Sequence, residues 1–342
     1  MNEQSIGAED GIVLYKLDKH LTLWQMYIFG IENAEDKLSP LDFKQSFIQV
    51  MKNAKTIDIP SINYHLWRPC NMKCKFCFAT FEDSREYLPK GHLSKEDSLE
   101  LIDQIIDGGL SKITFAGGEP TLCKWLPDLI ERAKLGGLTT MIVTNGTFLT
   151  NDYLDRLKGK LDWITLSIDS LNPATNKQLG RHSRKEVPEE TYYRHLISRI
   201  REKGFKLKIN TVVSRLNYTE SLANFIMWAK PERWKIFQVL PIQGQNDEHI
   251  ADLKIGHDQF ETFISNHSYV SEKGIVIVPE TNDDMTATYL MVDPAGRFYD
   301  NANGEHRYSE PILDIGIKKA YSQVHVDYTK FRNRNGIYDW VV

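Results

Sequence analysis

The chain has 342 residues, 41% hydrophobic and 26% charged, an ordinary globular composition with room for one large α/β domain or two modest ones. A formal net charge of −4 gives no general attraction to nucleic acid or anionic membrane, so neither is expected as a partner, and any phosphate must be held by a local cluster of Lys and Arg. No stretch reaches the roughly 20 apolar residues of a membrane span, and Met1–Asp10 lacks the basic start and apolar run of a secretory signal, so a cytoplasmic protein is expected.

Residues 1–56 read as a mixed N-terminal extension. Within it the apolar run Leu21–Ile31 is too short to span a bilayer and too poor in Lys and Arg for an interfacial anchor, which leaves a strand or a core helix. From residue 57 onward, short β-branched runs alternate with segments of helical period. Strands are predicted at Ile59–Trp67, Lys112–Gly117, Thr139–Gly146, Asp162–Asp169, Lys206–Val213 and Arg233–Leu240. Between them, helices are predicted over Ser94–Gly109, Lys124–Gly136, Asn151–Leu157, Glu189–Lys203 and Thr219–Ala229. Ser94 suits the N-cap of the first, with Asp97 three residues on, and Gly108–Gly109 closes it. Such alternation builds a parallel sheet with right-handed crossovers. Six strands are too few for a closed eight-stranded barrel, so a partial (β/α)6 TIM barrel over 57–240 is expected. A C-terminal lobe over 241–342 carries two further strand candidates, Gly274–Glu280 and Thr288–Asp293. In such sheets ligands sit beyond the carboxyl ends of the strands, so the loops there decide function.

Of four cysteines, Cys70, Cys74 and Cys77 fall within eight residues as C-x3-C-x2-C, directly after the first strand. A disulfide framework would spread its cysteines along the chain, and a cytosolic protein would keep them reduced. Three thiolates on one loop can hold three irons of a [4Fe–4S] cube and leave the fourth iron open. A structural zinc would need a fourth ligand, with Cys123 or a His reaching in from elsewhere. The second strand runs into Gly117-Gly118-Glu119-Pro120, where glycines allow close backbone approach and a carboxylate can accept from an ammonium group. Alone, that tetrapeptide reads as a turn before a helix. Thr144-Asn145-Gly146 follows the third strand, and Ser167-x-Asp169 ends the fourth.

The cysteine triad with Phe76 before its last member, followed by Gly-Gly-Glu-Pro, resembles the radical S-adenosylmethionine (SAM) superfamily. That resemblance implies a [4Fe–4S] cluster on Cys70, Cys74 and Cys77 whose open iron binds SAM. It also implies that Phe76, Gly117, Gly118, Glu119, Asn145, Ser167 and Arg181 surround the SAM. Within the superfamily, the stretch Ser61–Trp340 is similar to the viperin family, its prokaryotic members above all. The segments carrying this are Ser61–His65, Cys70–Phe78, Leu179–Arg181, Lys208–Asn210, Arg233–Gln238, Val278–Asn282 and Ile312–Gly316. The viperin resemblance implies removal of a 4′ hydrogen from a ribonucleoside triphosphate, loss of the 3′ hydroxyl, and a 3′-deoxy-3′,4′-didehydro product that serves antiviral defence. It further implies an electron donor such as flavodoxin or ferredoxin, and a monomer is expected. Two other readings stay open: a radical SAM enzyme acting on a peptide or cofactor precursor, and a non-enzymatic metal- or nucleotide-binding module. Peptide-modifying members often carry auxiliary clusters in a Cys-rich C-terminal extension, whereas this chain has no cysteine after Cys123.

A triphosphate carries about four negative charges and needs several cations, Arg as a bidentate donor and Lys as a point charge. Lys112, Lys208, Arg233 and Lys235 lie in predicted strands, and alternate strand residues share a face, so Arg233 and Lys235 point the same way. Singly, each would more often be a solvated surface residue. By resemblance Asn63, Asn210 and Arg334 join them on the substrate, and Tyr289 sits near the ribose to complete the reaction. A buried Tyr is otherwise a core residue with a satisfied hydroxyl. Glu280–Asn282 and Gln243–Asn246 are candidates to cover the base, with CTP expected ahead of UTP. Departures from the family are Ala116 in place of Ser and His306 in place of a basic residue, and Met1–Ile59 shows no amphipathic membrane helix.

Overall fold

The structure, a computed structural model, describes residues 57–85, 88–184 and 186–340. The extension at 1–56, with its Leu21–Ile31 run, lies outside the described residues. Ile57–Val342 forms one compact unit.

Its sheet has ten strands in the order β10-β9-β8-β1-β2-β3-β4-β5-β6-β7. Seven of them run side by side and parallel: β1 (Ser61–Trp67), β2 (Lys112–Gly117), β3 (Thr139–Thr144), β4 (Trp163–Ser167), β5 (Lys206–Val213), β6 (Arg233–Gln238) and β7 (Val276–Glu280). At the other edge β8 (Met291–Val292) pairs parallel to β1, and β9 (Arg297–Asp300) and β10 (Arg307–Pro311) continue antiparallel. The central strands β2, β3 and β4 are buried on both faces, because helices cover one and the other lines a cavity.

The crossover helices place their apolar stripes against the outer face. α1 (Lys95–Asp107) buries Leu101, Ile102 and Ile105; α2 (Leu126–Leu135) buries Leu129 and Ile130; α3 (Asn151–Leu157) buries Leu154 and Leu157. Ser94 caps α1 by accepting from the Asp97 amide at 3.0 Å. α4 (Pro173–Leu179) was not expected from the periodicity; its signals are local, with Asn172 accepting from the Ala174 amide at 2.9 Å, Pro173 opening the first turn and Gly180 closing it at φ +74°. α5 (Glu190–Glu202) buries Leu196 and Ile200, and α6 (Ala223–Ala229) starts four residues later than the predicted Thr219.

The C-terminal part differs from expectation in its strands. Gly274–Glu280 adds a seventh parallel strand beside β6, with Lys235 opposite Val278 and Phe237 opposite Glu280. Thr288–Asp293 shortens to the two residues of β8, and the β9–β10 hairpin escapes a pattern reading because its strands have four and five residues and the second ends in Pro311.

Candidate active site

A cavity of about 840 Å³ opens within the sheet, near the top of the roughly 300–1,000 Å³ range of small-molecule sites. Its wall includes all three clustered cysteines, Phe76, Gly117, Gly118, Glu119, Asn145, Ser167 and Arg181. The same wall carries Asn63, Lys112, Lys208, Asn210, Lys235, Tyr289 and Arg334.

The cysteine loop leaves β1 and is held from two sides. Glu119 N–H donates to the Pro69 carbonyl at 2.9 Å, and Gly118 N–H makes a short contact to Trp67 O. A Cβ on Gly117 would run into the backbone of Trp67, and one on Gly118 into that of Arg68 and Pro69. The glycines therefore serve the close packing of β2's end against the root of the cysteine loop. On the other side Lys73 N–H donates to Gly180 O at 3.3 Å and Lys75 N–H to Leu179 O at 2.9 Å. Gly180 is required there, since a Cβ at φ +74° would strike the Lys73 carbonyl.

Burial pushes the thiols of Cys70, Cys74 and Cys77 up to about 11, so a metal must draw off their protons to make thiolates. Among the described residues no group of three or more His, Cys, Asp or Glu is placed around a single metal ion. Three thiols spread along one loop at a cavity wall suit the corners of an iron–sulfur cube instead, so the residues present fit the cluster. Cys123 is buried apart from the triad, in the hydrophobic core.

Glu119 is fully buried, and burial raises its pKa despite four protein donors. One oxygen accepts from Thr121 N–H at 3.1 Å, Thr121 Oγ1 at 2.5 Å and Thr144 Oγ1 at 2.6 Å; the other accepts from Asn145 N–H at 2.9 Å. It thus ties the end of β2 to the end of β3 while also facing the cavity. Asn145 in turn donates from Nδ2 to Asn71 Oδ1 at 2.8 Å, linking β3 to the cysteine loop. Arg181 forms a buried ion pair with Asp169 and lies 5.4 Å from the Phe76 ring centre. Burial alone would lower its pKa, but Asp169 and neighbouring groups raise it, so the guanidinium stays charged beside the cluster loop.

The cations converge. Register sets Lys208 opposite Arg233 and Asn210 opposite Lys235, so like charges stand directly across β5 and β6. Lys112, Lys208, Arg233, Lys235 and Arg334 are all at least nine-tenths buried. Burial, reinforced by the neighbouring cations, pushes Lys112 and Lys208 well below the usual lysine range and brings Lys235 to about 7. Among the described residues Lys208 has no hydrogen-bond or ion-pair partner, and Asn210 Oδ1 is buried without one. Lys112 donates to Tyr338 Oη at 3.1 Å.

Of the candidates for phosphate, Arg233 alone does not reach the wall. Its Nη2 donates to Asn335 O at 3.2 Å and its guanidinium lies 4.0 Å from the Tyr338 ring centre, so the C-terminal segment covers it. Glu280 does not reach the wall either: its carboxylate sits among Lys235, Arg334 and Tyr289. Burial would raise its pKa, but Lys235 and Arg334 outweigh this and hold it below the carboxylate range. Gln245, for its part, accepts from Thr80 Oγ1 at 2.8 Å and Phe81 N–H at 2.8 Å, behind the cysteine loop. His306 packs 4.7 Å from the Tyr299 ring, and burial pushes it down to about 4, so it supplies no charge for phosphate. Sequence reasoning did not find Tyr338, and the Tyr-x-Trp ending offers no signal beyond its aromaticity.

Residues 64–229 match the radical SAM superfamily, and with a cysteine triad and glycine-rich loop at one cavity the protein is a radical SAM enzyme with a [4Fe–4S] cluster and SAM as cofactors. The solved structure of Streptococcus suis SuiB bound to S-adenosylmethionine shares the fold, with a TM-score of 0.63 at 17% identity over 91% of this chain and 78% of that one. An S-adenosylmethionine-dependent nucleotide dehydratase of Flammeovirga pacifica is 53% identical over 82% of this chain and 96% of its own length. An S-adenosylmethionine-dependent nucleotide dehydratase of Siniperca chuatsi is 31% identical over 88% of this chain and 85% of its own. The chain belongs to this viperin family of S-adenosylmethionine-dependent nucleotide dehydratases. Among the described residues no helix is long and apolar enough to cross a membrane.

Proposed function

We propose that the protein dehydrates a ribonucleoside triphosphate, CTP foremost and UTP next, to its 3′-deoxy-3′,4′-didehydro form, in antiviral or antiphage defence. The observation that carries this is the set of buried basic side chains at one cavity, Lys112, Lys208, Lys235 and Arg334, with Arg233 set across from Lys208 and only one carboxylate, Glu280, paired with Lys235 and Arg334. Burying like charges together is costly unless a polyanion meets them, and a triphosphate brings about four negative charges. A peptide substrate would leave most of that charge unmatched.

When bound, the [4Fe–4S] cluster and SAM would together supply a 5′-deoxyadenosyl radical. Cys70, Cys74 and Cys77 hold the cluster, and Phe76, Gly117, Gly118, Glu119, Asn145, Ser167 and Arg181 form the SAM side of the cavity. Lys112, Lys208, Lys235 and Arg334 bind phosphate oxygens, with Asn63 and Asn210 supplying neutral contacts, while Arg233 orders the covering segment. Removal of the 4′ hydrogen atom leaves a nucleotide radical, the 3′ hydroxyl departs as water with one added proton, and one electron restores the closed shell. Tyr289 and Lys235 stand together at the wall to serve this last stage. The electrons come from a flavodoxin or ferredoxin, and the protein works as a cytoplasmic monomer.

An anaerobic competition among the four ribonucleoside triphosphates with SAM and reductant tests the reading. Loss of one water from CTP, and more slowly from UTP, with release of 5′-deoxyadenosine is expected. SAM consumption with no dehydrated nucleotide from any of the four would retire it.

A further inference from the structure

Glu280 ends β7, is fully buried and does not reach the cavity wall, yet it holds three residues that do. One carboxylate oxygen accepts from Lys235 Nζ in a short contact and from Arg334 Nη1 at 3.2 Å; the other accepts the phenolic hydrogen of Tyr289, also in a short contact. Lys235 Nζ donates to Tyr289 Oη at 2.7 Å, which closes the arrangement. Arg334 lies 3.7 Å from the centre of the Tyr289 ring and is anchored by Nη2 donating to Thr288 O at 2.8 Å.

A phenol has one O–H, and Tyr289 gives it to Glu280, whose carboxylate, when ionised, can accept but not donate. Lys235 has three N–H bonds, two of which go to Glu280 and Tyr289, leaving one for the cavity it lines. For the binding of a polyphosphate Glu280 is a liability, since it neutralises cations and repels the ligand. A buried anion at such a place works against affinity, so its service lies in orientation.

We propose that Glu280 is a positioning residue that fixes the Tyr289 hydroxyl and the Lys235 ammonium in one orientation at the cavity wall, at the expense of nucleotide affinity. The inference rests on the nucleotide dehydratase reading. Without Glu280 the phenol and ammonium turn freely, and the nucleotide radical, once formed, is less often carried through to product.

Glu280→Gln in the full chain, anaerobically reconstituted, is compared with wild type in iron content, SAM binding, affinity for CTP without reductant, and the ratio of dehydrated nucleotide to 5′-deoxyadenosine. Iron and SAM binding should be unchanged and CTP should bind as tightly or several-fold more tightly, while the ratio falls about fivefold or more. Glu280→Asp, which keeps the charge but withdraws it by one methylene, should give an intermediate ratio. An unchanged ratio in Glu280→Gln overturns the proposal, and so does weakened CTP binding, which a purely structural role predicts. If Glu280→Gln loses its iron, Glu280→Asp decides alone, by a lowered or an unchanged ratio. A wild-type protein that cleaves SAM but dehydrates no nucleotide sinks the underlying reading as well, whereas a productive wild type with an unaffected variant sinks this inference only.

Discussion

Replacing Gly180 with Ala should unseat the cysteine loop. The residue closes α4 at φ +74°, and an added Cβ would collide with the Lys73 carbonyl oxygen and stand 3.3 Å from Cys74 Cα. A left-handed conformation costs a non-glycine residue ~1–2 kcal/mol. Relief of the clash moves apart the segments joined by Lys73 N–H to Gly180 O and Lys75 N–H to Leu179 O, each bond contributing ~0.5–1.5 kcal/mol. The penalty against docking the loop is therefore roughly 2–5 kcal/mol, enough to lose most of the cluster during reconstitution. Gly204 is the control: its φ is +84° and nothing lies within 4 Å of the added Cβ, so Gly204→Ala carries the strain without the collision. Iron per chain after anaerobic reconstitution and desalting should be about four in wild type and in Gly204→Ala, and well under half of that in Gly180→Ala. Full iron in Gly180→Ala would refute the argument that this glycine seats the triad.

Nucleotide binding should take up protons. Burial, with the neighbouring cations, brings Lys235 to about 7 and Lys112 and Lys208 well below the usual lysine range, and a bound polyphosphate raises all three. Affinity must then fall as pH rises above the free-state value, roughly fivefold between pH 7 and 8 from Lys235 alone. Titration calorimetry in buffers of different ionisation enthalpy reads the uptake; pH-independent affinity with no proton exchange would contradict it. Lys208→Ala should weaken nucleotide binding by ~1.5–3 kcal/mol at unchanged iron content. Arg233→Ala, which loses its bond to Asn335 and its stacking on Tyr338, should weaken binding less and speed amide exchange over 335–340; equal effects on affinity from both variants would put Arg233 in direct contact with phosphate.

The parts of the fold and site that are legible in the sequence are those set by local pattern. Strand alternation places β2 and β5 to the residue, and the cysteine spacing after β1 marks the cluster loop. Positions that depend on what folds over them are not legible. Arg233 and Lys235 share a strand face as the period of two requires, yet only Lys235 reaches the cavity, because the segment from Asn335 to Trp340 returns across the sheet and covers Arg233. Glu280 reads as a strand-end residue until β7 is seen to join β6, which puts it against Lys235 and Tyr289. The Gly-Gly-Glu-Pro element shows its glycines packed on Trp67–Pro69, a contact between strands distant in sequence.

The central claim is that this cavity directs a radical to the 4′ carbon of a nucleoside triphosphate. CTP carrying deuterium only at C4′, incubated anaerobically with the reconstituted protein, SAM and reductant, should yield 5′-deoxyadenosine bearing one deuterium in proportion to the dehydrated nucleotide formed. Dehydrated nucleotide accompanied by unlabelled 5′-deoxyadenosine, with the deuterium retained in the nucleotide, would contradict it.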